Sequence, residues 1–290
     1  MPNIGGPVQF KRKLLGSVVG SRLQLYTAPV WIHAITNVAR TRTSLIRPQR
    51  TAVPRVIRSY RTVSDEAALV LACTSPADLT GLERCRIRSR LRAATEPGQL
   101  RPSKAAVKQE GRKATIALWQ VRWLATKKAS WTRRAIPVIP DIGRWLGRTV
   151  PWVPLSFHMT HALSGHGCFQ FYLHRMARAA SSRCWQCSGD SDTAEHTLFE
   201  CVYWEGFRVH LSARLGRRPS VADLPDIICG PAFEMFPADP EEKSMLLREA
   251  EEVFRLFYKM VEDILSAKQE EEERARQAAE EHNVGTTNVV

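Results

Sequence analysis

The sequence lacks the marks of a membrane or secreted protein. No run reaches the roughly 18 consecutive apolar residues of a bilayer-spanning helix, although 44% of its 290 residues are hydrophobic. No secretory signal is expected at the start, where Lys11, Arg12 and Lys13 interrupt the apolar residues early. Seven cysteines make an odd number, and Cys73, Cys85, Cys168 and Cys229 are scattered. That is no secreted disulfide framework, and it predicts a reducing, intracellular compartment. No repeat with a period of roughly 20–50 residues is visible, which excludes a solenoid or propeller.

Acidic residues are scarce in one half only. Residues 1–150 hold 28 Lys and Arg against 7 Asp and Glu, a balance of +21. Residues 151–290 hold 14 against 22, or −8, and the two sum to the chain's +13. A half-chain that basic builds a strong positive field, for which nucleic acid is the expected partner.

The hydrophobic period points to a mostly α chain. Apolar positions between Leu23 and Tyr60 suggest helices, which Pro48 and Pro54 are expected to kink or split, since each ring removes an amide donor and crowds the preceding turn. Ser64 is an expected N-cap, with Asp65 and Glu66 in the first turn. In residues 83–92, Arg84, Arg86, Arg88, Arg90 and Arg92 alternate as in a strand. The lack of β-rich neighbours favours a helix with arginine nearly all round, either solvated or facing phosphates. Pro97-Gly98 and Pro102 mark a break, and Ser103 caps a helix expected to reach Lys128, with Trp119 and Trp123 on one face. Lys127, Lys128, Arg133 and Arg134 follow it as further candidate nucleic-acid contacts.

Trp131, Trp145 and Trp152 stand in a segment punctuated by prolines 137, 140, 151 and 154. Tryptophans among arginines can stack on bases, but the core reading is preferred for all five. Residues 156–176 suggest two short helices hinged at Ser164-Gly165, and His158, His161, His166 and His174 there are expected to be structural. A single helix is expected over 239–282, with Asp239 at the N-cap, Pro240 at N1 and Glu242 at the capping-box position. Its apolar face runs from Leu246 to Ile264 and could take a protein partner. After Ser266 the pattern is all charge and predicts a solvated or disordered extension. The chain divides into a basic helical region (1–100), a Trp/Arg-rich connector (101–160), a cysteine-rich module (161–230) and the long helix with its tail (231–290).

Chemistry concentrates in CWQCSGDSDTAEHTLFEC (184–201), spaced C-x2-C-x8-H-x4-C. Zinc prefers thiolate and imidazole in a tetrahedron, and four protein ligands make a closed, structural site. Cys184, Cys187, His196 and Cys201 are the expected ligands. Gly189 and Asp190 let the chain reverse, and Asp192 with Glu195 is expected to cap the short helix that carries His196. No position is left for a metal-bound water, so hydrolytic chemistry is not expected. A redox C-x-x-C is disfavoured by the absence of a βαβ context.

The stretch LSGHGCFQFYLHRMARAASSRCWQCSGDSDTAEHTLFEC (163–201) resembles the C-terminal region of the reverse transcriptases of type-1 non-LTR, LINE-like retrotransposons. LYTAPVWIHAI (25–35), the segment 49–72 and LWQVRWLATKKASWTRRAIPVIPDIGRWL (118–146) resemble the preceding parts of the same region, in the same order. The sequence departs from the family pattern at Thr27, at Pro48 and Pro54, and at Cys73, where a glycine usually follows Leu-Ala.

The resemblance implies thumb-like and connector helices, then a CCHC zinc knuckle, in a region that helps hold template RNA or target DNA during target-primed reverse transcription. The parent enzymes are RNA-directed DNA polymerases, which need paired aspartates to hold two metals. This chain has no Asp-Asp pair and no endonuclease segment. A non-catalytic, nuclear, nucleic-acid-binding fragment is therefore the expectation. The alternative is a domesticated host protein that binds another protein through residues 240–265.

Overall fold

The computed structural model describes residues 9–18, 20, 26, 28–36, 38–93, 102–136 and 155–287. Among these residues no strand occurs and helices carry the fold, as the hydrophobic period predicts. The chain divides into two compact units, Met1–Gly147 and Arg148–Val290. Pro97, Gly98, Trp145, Trp152 and the prolines at 137, 140, 151 and 154 lie outside the described residues.

The first unit contains α1 (Gln9–Val18), α2 (Ala28–Thr36), α3 (Ala39–Ile57), α4 (Asp65–Leu71), α5 (Ala77–Arg92), α6 (Lys104–Ala125) and α7 (Ser130–Ala135). Helix α5 is its hub and packs on α2, α3 and α6. Ala28, Ile32, Leu45, Ala77 and Cys85 share one cluster there. Trp119 and Trp123 are buried, so the core reading holds for both.

Local capping rules explain two helix starts. Ser64 accepts from the Ala67 amide and Ser103 from the Ala106 amide. Helix α5 follows Pro76, which has no capping side chain. Gln49 of α3 supplies the cap instead: its Oε1 accepts from Ala77 N–H at 2.9 Å and its Nε2 donates to the Ser75 carbonyl at 2.8 Å. Asp78 is buried, and Arg122 of α6 holds it through two hydrogen bonds of 3.0 and 2.7 Å.

Two sequence expectations change. Pro48 and Pro54 lie inside α3, which runs unbroken from Ala39 to Ile57. Leu45, Val53, Val56 and Ile57 are buried from it, and it packs on α1, α2, α4 and α5. That burial holds the helix despite the two lost amide donors. Helix α6 stops at Ala125, before the expected Lys128. The arginine-rich stretch 83–92 is helical, within α5. Cys73, at the position where the resembled family usually has glycine, adopts φ 51°, the left-handed region that glycine favours.

The second unit contains α8 (Phe157–Ser164), α9 (Gln170–Arg175), a π-helical turn (His196–Glu200), α10 (Glu205–Leu215), α11 (Leu224–Cys229) and α12 (Pro240–Thr287). Ser156 caps α8 and Gly165, at φ 69°, ends it. Gly167 has φ 132°, and a Cβ there would lie 2.6 Å from His161 Nδ1, so both glycines of Gly-His-Gly are required by the backbone. His161 is buried against Phe157, and burial pushes it down to about 3, with His158 and His166 adding to the effect. It stays neutral, as a structural histidine should.

Asp239 caps α12, accepting from Glu242 N–H at 2.8 Å. The helix packs on α8, α10 and α11. Phe254, Phe257, Met260, Val261 and Ile264 are buried, so much of the apolar stripe is covered inside its own unit. The charged stretch after Ser266 continues the helix, and its first turn faces inward: Lys268 is completely buried.

Candidate metal centre

Two short chain reversals bring the four candidate ligands together. The first is the turn after α9. Cys184 N–H donates to the Gly189 carbonyl at 2.9 Å, which closes the loop holding Cys184 and Cys187. Ser188 takes the left-handed conformation at φ 60°. A Cβ on Gly189 would lie 3.0 Å from His196 Cε1 and 3.3 Å from Cys187 Sγ, so a side chain there would crowd the ligands.

The second reversal is the helical turn at His196–Glu200. Its start is capped by Thr193, whose hydroxyl accepts from His196 N–H at 3.1 Å, and not by Asp192 as expected. At its end, Cys201 N–H donates to the His196 carbonyl at 2.7 Å, which fixes the fourth residue.

The ligand atoms of Cys184, Cys187, His196 and Cys201 all lie within 4.8 Å of one another. Cys184 Sγ is 3.9 Å from Cys201 Sγ, and Cys187 Sγ is 3.2 Å from His196 Nε2. A tetrahedron with metal–sulfur bonds of about 2.3 Å and metal–nitrogen bonds of about 2.0 Å has edges of roughly 3.5–3.8 Å. The arrangement therefore fits a closed metal site with His196 bound through Nε2. The other ring nitrogen is 3.6 Å from the Glu200 carboxylate, and a metal-bound histidine commonly keeps such a partner. Burial pushes the Cys184 thiol up to about 12, and burial raises Cys201 as well. Burial opposes ionisation of Cys187 too, but hydrogen bonding to the Gly189 backbone and the neighbouring cysteines outweighs it and lowers that thiol. Loading a metal must therefore displace protons.

Behind the ligands lies a buried polar frame that sequence reading missed. Arg208 of α10 is completely buried and donates to the carbonyls of Thr197, Leu198 and Cys201 at 2.8–2.9 Å, collecting the orphan acceptors at the end of the ligand turn. Asp192 accepts from Gln170 N–H and the Thr197 hydroxyl, and pairs with Lys268 of α12 at 2.9 Å, with both side chains fully buried. Lys268 also donates to Gln186 Oε1, between the two cysteines, while Glu271 accepts from Gln186 Nε2 and from Tyr203. Only the spacing of Lys268 and Glu271, one helical turn apart, hinted at this, and a charge run hid it. Trp204, just past Cys201, is buried, and Phe207, whose ring lies 5.8 Å from it, is exposed.

The candidate nucleic-acid residues all belong to the first unit. Arg84, Arg86 and Arg88 are half-buried along α5, while Arg90 and Arg92 are exposed at its end. Arg86 donates to Thr115 Oγ1 at 2.8 Å. Lys127 and Lys128 are exposed between α6 and α7. Arg133 donates to the Thr126 carbonyl, and exposed Arg134 lies over the Trp131 ring at 5.9 Å.

Comparison with known proteins finds relatives of one kind. A retrovirus-related Pol polyprotein from type-1 retrotransposable element R1 2 of Nasonia vitripennis is 27% identical over 192 residues, 63% of this chain and 45% of that protein. The corresponding R1 4 polyprotein of the same wasp is 28% identical over 162 residues, 54% of this chain and 40% of that protein. The R1 polyprotein of Bradysia coprophila is 26% identical over 192 residues, 63% of this chain and 18% of that protein. The chain thus spans less than half the length of these curated relatives. No protein-family model and no solved structure matches it. The chain is similar to a region of non-LTR retrotransposon Pol polyproteins.

Proposed function

We propose that this chain is a non-catalytic, nucleic-acid-binding region of a retrotransposon reverse transcriptase, lying after the polymerase palm and acting in the nucleus. Its role in the parent enzyme is to hold template RNA or target DNA during target-primed reverse transcription. The observation that carries this reading is the charge division: 28 basic against 7 acidic residues in 1–150, with Arg90, Arg92, Lys127, Lys128 and Arg134 exposed. The Cys3His site takes zinc as a structural ion. Its four protein ligands supply the soft thiolates and imidazole that zinc prefers, in the number a closed tetrahedral site needs. Zinc there stabilises the ligand loops, and the chain's own side chains contact nucleic acid.

Salt dependence tests the reading. If six to ten phosphates are contacted, affinity falls by roughly 10³–10⁵ between 50 and 200 mM salt. A filter-binding series that is flat in salt would sink it. A second reading, docking of a protein partner on residues 240–265, draws on Met245, which is exposed at the start of α12, with Leu246 and Leu247 half-buried beside it. A mass shift on gel filtration with a host partner but none with RNA or DNA would favour it.

A further inference from the structure

A lysine pair precedes a serine in the link between α6 and α7: Lys127-Lys128-Ala129-Ser130. A protein kinase that selects substrates by charge reads cations two and three residues before the hydroxyl through carboxylates of its own. Three places in the sequence put two consecutive Lys or Arg residues at that offset from a Ser or Thr. They are Arg112-Lys113 before Thr115, Lys127-Lys128 before Ser130, and Arg217-Arg218 before Ser220. By sequence the three are equivalent, and in the structure they are not.

Thr115 is completely buried inside α6, where its hydroxyl accepts from Arg86 at 2.8 Å. Ser220 is half-buried in a capping box, and its hydroxyl donates to Asp223 at 2.9 Å. The arginines before it are engaged as well: Arg217 donates to Asp223 at 2.8 Å and Arg218 to Glu205 at 2.6 Å. Ser130 differs on each count. It is exposed, and so are Lys127 and Lys128, neither of which makes an ion pair among the described residues. Asp65 senses the charge of Lys128, but its own ion pair is with Arg50, at 2.9 Å.

The backbone around Ser130 suits an extended fit in a kinase cleft. Residues 126–129 lie outside any helix. Ala129 holds φ 59°, a left-handed conformation that costs an L-residue and is readily given up. Helix α7 is six residues long, too short to hold by itself, and its buried residues, Thr132 and Ala135, lie beyond the serine. Residues 127–131 can straighten while those two stay buried. A phosphate placed there meets cations, since residues 111–140 contain no Asp or Glu. Lys127 stands one turn before Ser130, and Arg133 and Arg134 stand one turn after it. Arg133 donates to the Thr126 carbonyl and Arg134 lies over the Trp131 ring, and a dianion beside them would displace both contacts.

Resting on the nucleic-acid reading above, we propose that Ser130 is the target of a serine/threonine kinase that reads basic residues, and that its phosphate withdraws Lys127, Lys128, Arg133 and Arg134 from nucleic acid. The co-substrate is ATP with magnesium. A bond forms between Ser130 Oγ and the γ-phosphorus, the bond from that phosphorus to the β,γ-bridging oxygen breaks, ADP leaves, and the hydroxyl proton passes to a carboxylate of the kinase. The new dianion takes charge-assisted hydrogen bonds from the guanidinium groups one turn away and repels the phosphates of an incoming strand.

The test treats the full zinc-loaded chain with ATP and the catalytic subunit of cyclic-AMP-dependent protein kinase. Mass spectrometry maps the phosphate, and a single-stranded RNA oligonucleotide is then titrated across a salt series. The phosphate is expected on Ser130, and Lys127→Ala with Lys128→Ala should abolish it. Losing two phosphate contacts should lower the slope of log K against log salt by about 1.4, at about 0.7 per contact, or about 25-fold in affinity at 0.1 M salt. Ser130→Ala should bind RNA as the parent does and be indifferent to the kinase. Labelling of Thr115 or Ser220 in place of Ser130, or no labelling, overturns the site. Labelled Ser130 with an unchanged salt slope overturns the control of binding and leaves the proposed function standing. A parent chain that binds no RNA overturns the proposed function, and the control of binding with it, whether or not Ser130 is labelled.

Discussion

The two units keep their helices together by different means. In the first, the contacts are spread out: α5 lies against α2, α3 and α6, two tryptophans of α6 are buried, and the polar ties, such as Gln49 over the start of α5 and Arg122 on Asp78, join helix to helix. In the second, much rests on one small centre. Four ligand residues within 4.8 Å are backed by a buried arginine and a buried lysine–aspartate pair, and α12 crosses to grip both flanks of the ligand loops. Distributed burial tolerates local violations, such as the two prolines inside α3 of the first unit. A concentrated polar centre tolerates few, because each buried charge depends on a particular partner.

The largest expected effect comes from removing the zinc proposed for the Cys3His site. Structural zinc contributes about 10–16 kcal/mol to small modules. Chelation, or Cys184→Ser, should therefore abolish amide-exchange protection across 182–208 and leave α5 and α6 protected. The zinc requirement should rise as pH falls, since protons compete for the buried Cys184 and Cys201 thiols, both of which burial keeps protonated in the free protein. Unchanged protection after chelation would remove the contrast between the units.

Next in size is Lys268→Met, which keeps the stem but leaves the Asp192 carboxylate buried without its cation. It should cost about 3–5 kcal/mol, read as a lower urea midpoint for the second unit. Lys259→Met removes an exposed partner of Asp263 and should cost under about 1 kcal/mol. Similar losses from the two substitutions would argue that burial of Lys268 has no special weight.

The first unit should respond in the opposite direction. Pro48→Ala restores an amide donor inside α3 and should stabilise by up to about 3 kcal/mol, seen as a higher midpoint with an unchanged denaturant slope. A neutral or destabilising result would show that α3 is adapted to its proline. The smallest effect is expected of Cys73→Gly. Relieving the left-handed conformation at φ 51° should gain about 1 kcal/mol, less the extra freedom glycine brings to the unfolded chain. A lower melting temperature would mean that the Cys73 side chain contributes more than its backbone costs.

What could be read from the sequence was mostly local. Ser64, Ser103 and Asp239 act as caps because a cap reaches only three residues along the chain. The spacing of Cys184, Cys187, His196 and Cys201 was legible for the same reason: both reversals are completed within eighteen residues. Asp192 was misread because a helix cap and a buried ion-pair acceptor look alike in sequence, and its partner Lys268 lies in a charge run 76 residues away. The two helical prolines misled in the other direction. Propensity predicts a break, and burial of α3 against four neighbours overrides it. The arginine alternation at 84–92 fitted a strand by period alone, but the lack of β-rich neighbours favoured the helix that is found, packed against α2, α3 and α6.

The grip of α12 on the ligand loops sets a limit on how far the coding sequence can be shortened. A stop codon anywhere between 266 and 268 spares all four ligands, the arginine behind them and the whole apolar stripe, yet deletes Lys268 and strands the buried Asp192. One placed at 269–271 keeps that ion pair but loses Glu271, and with it the tie to Gln186 and Tyr203. Nonsense changes just past the last apolar turn would thus act as missense changes at the metal loop, far upstream of where they occur. A reading frame shortened only by an acidic tail would have lost the keystone of its Cys3His module.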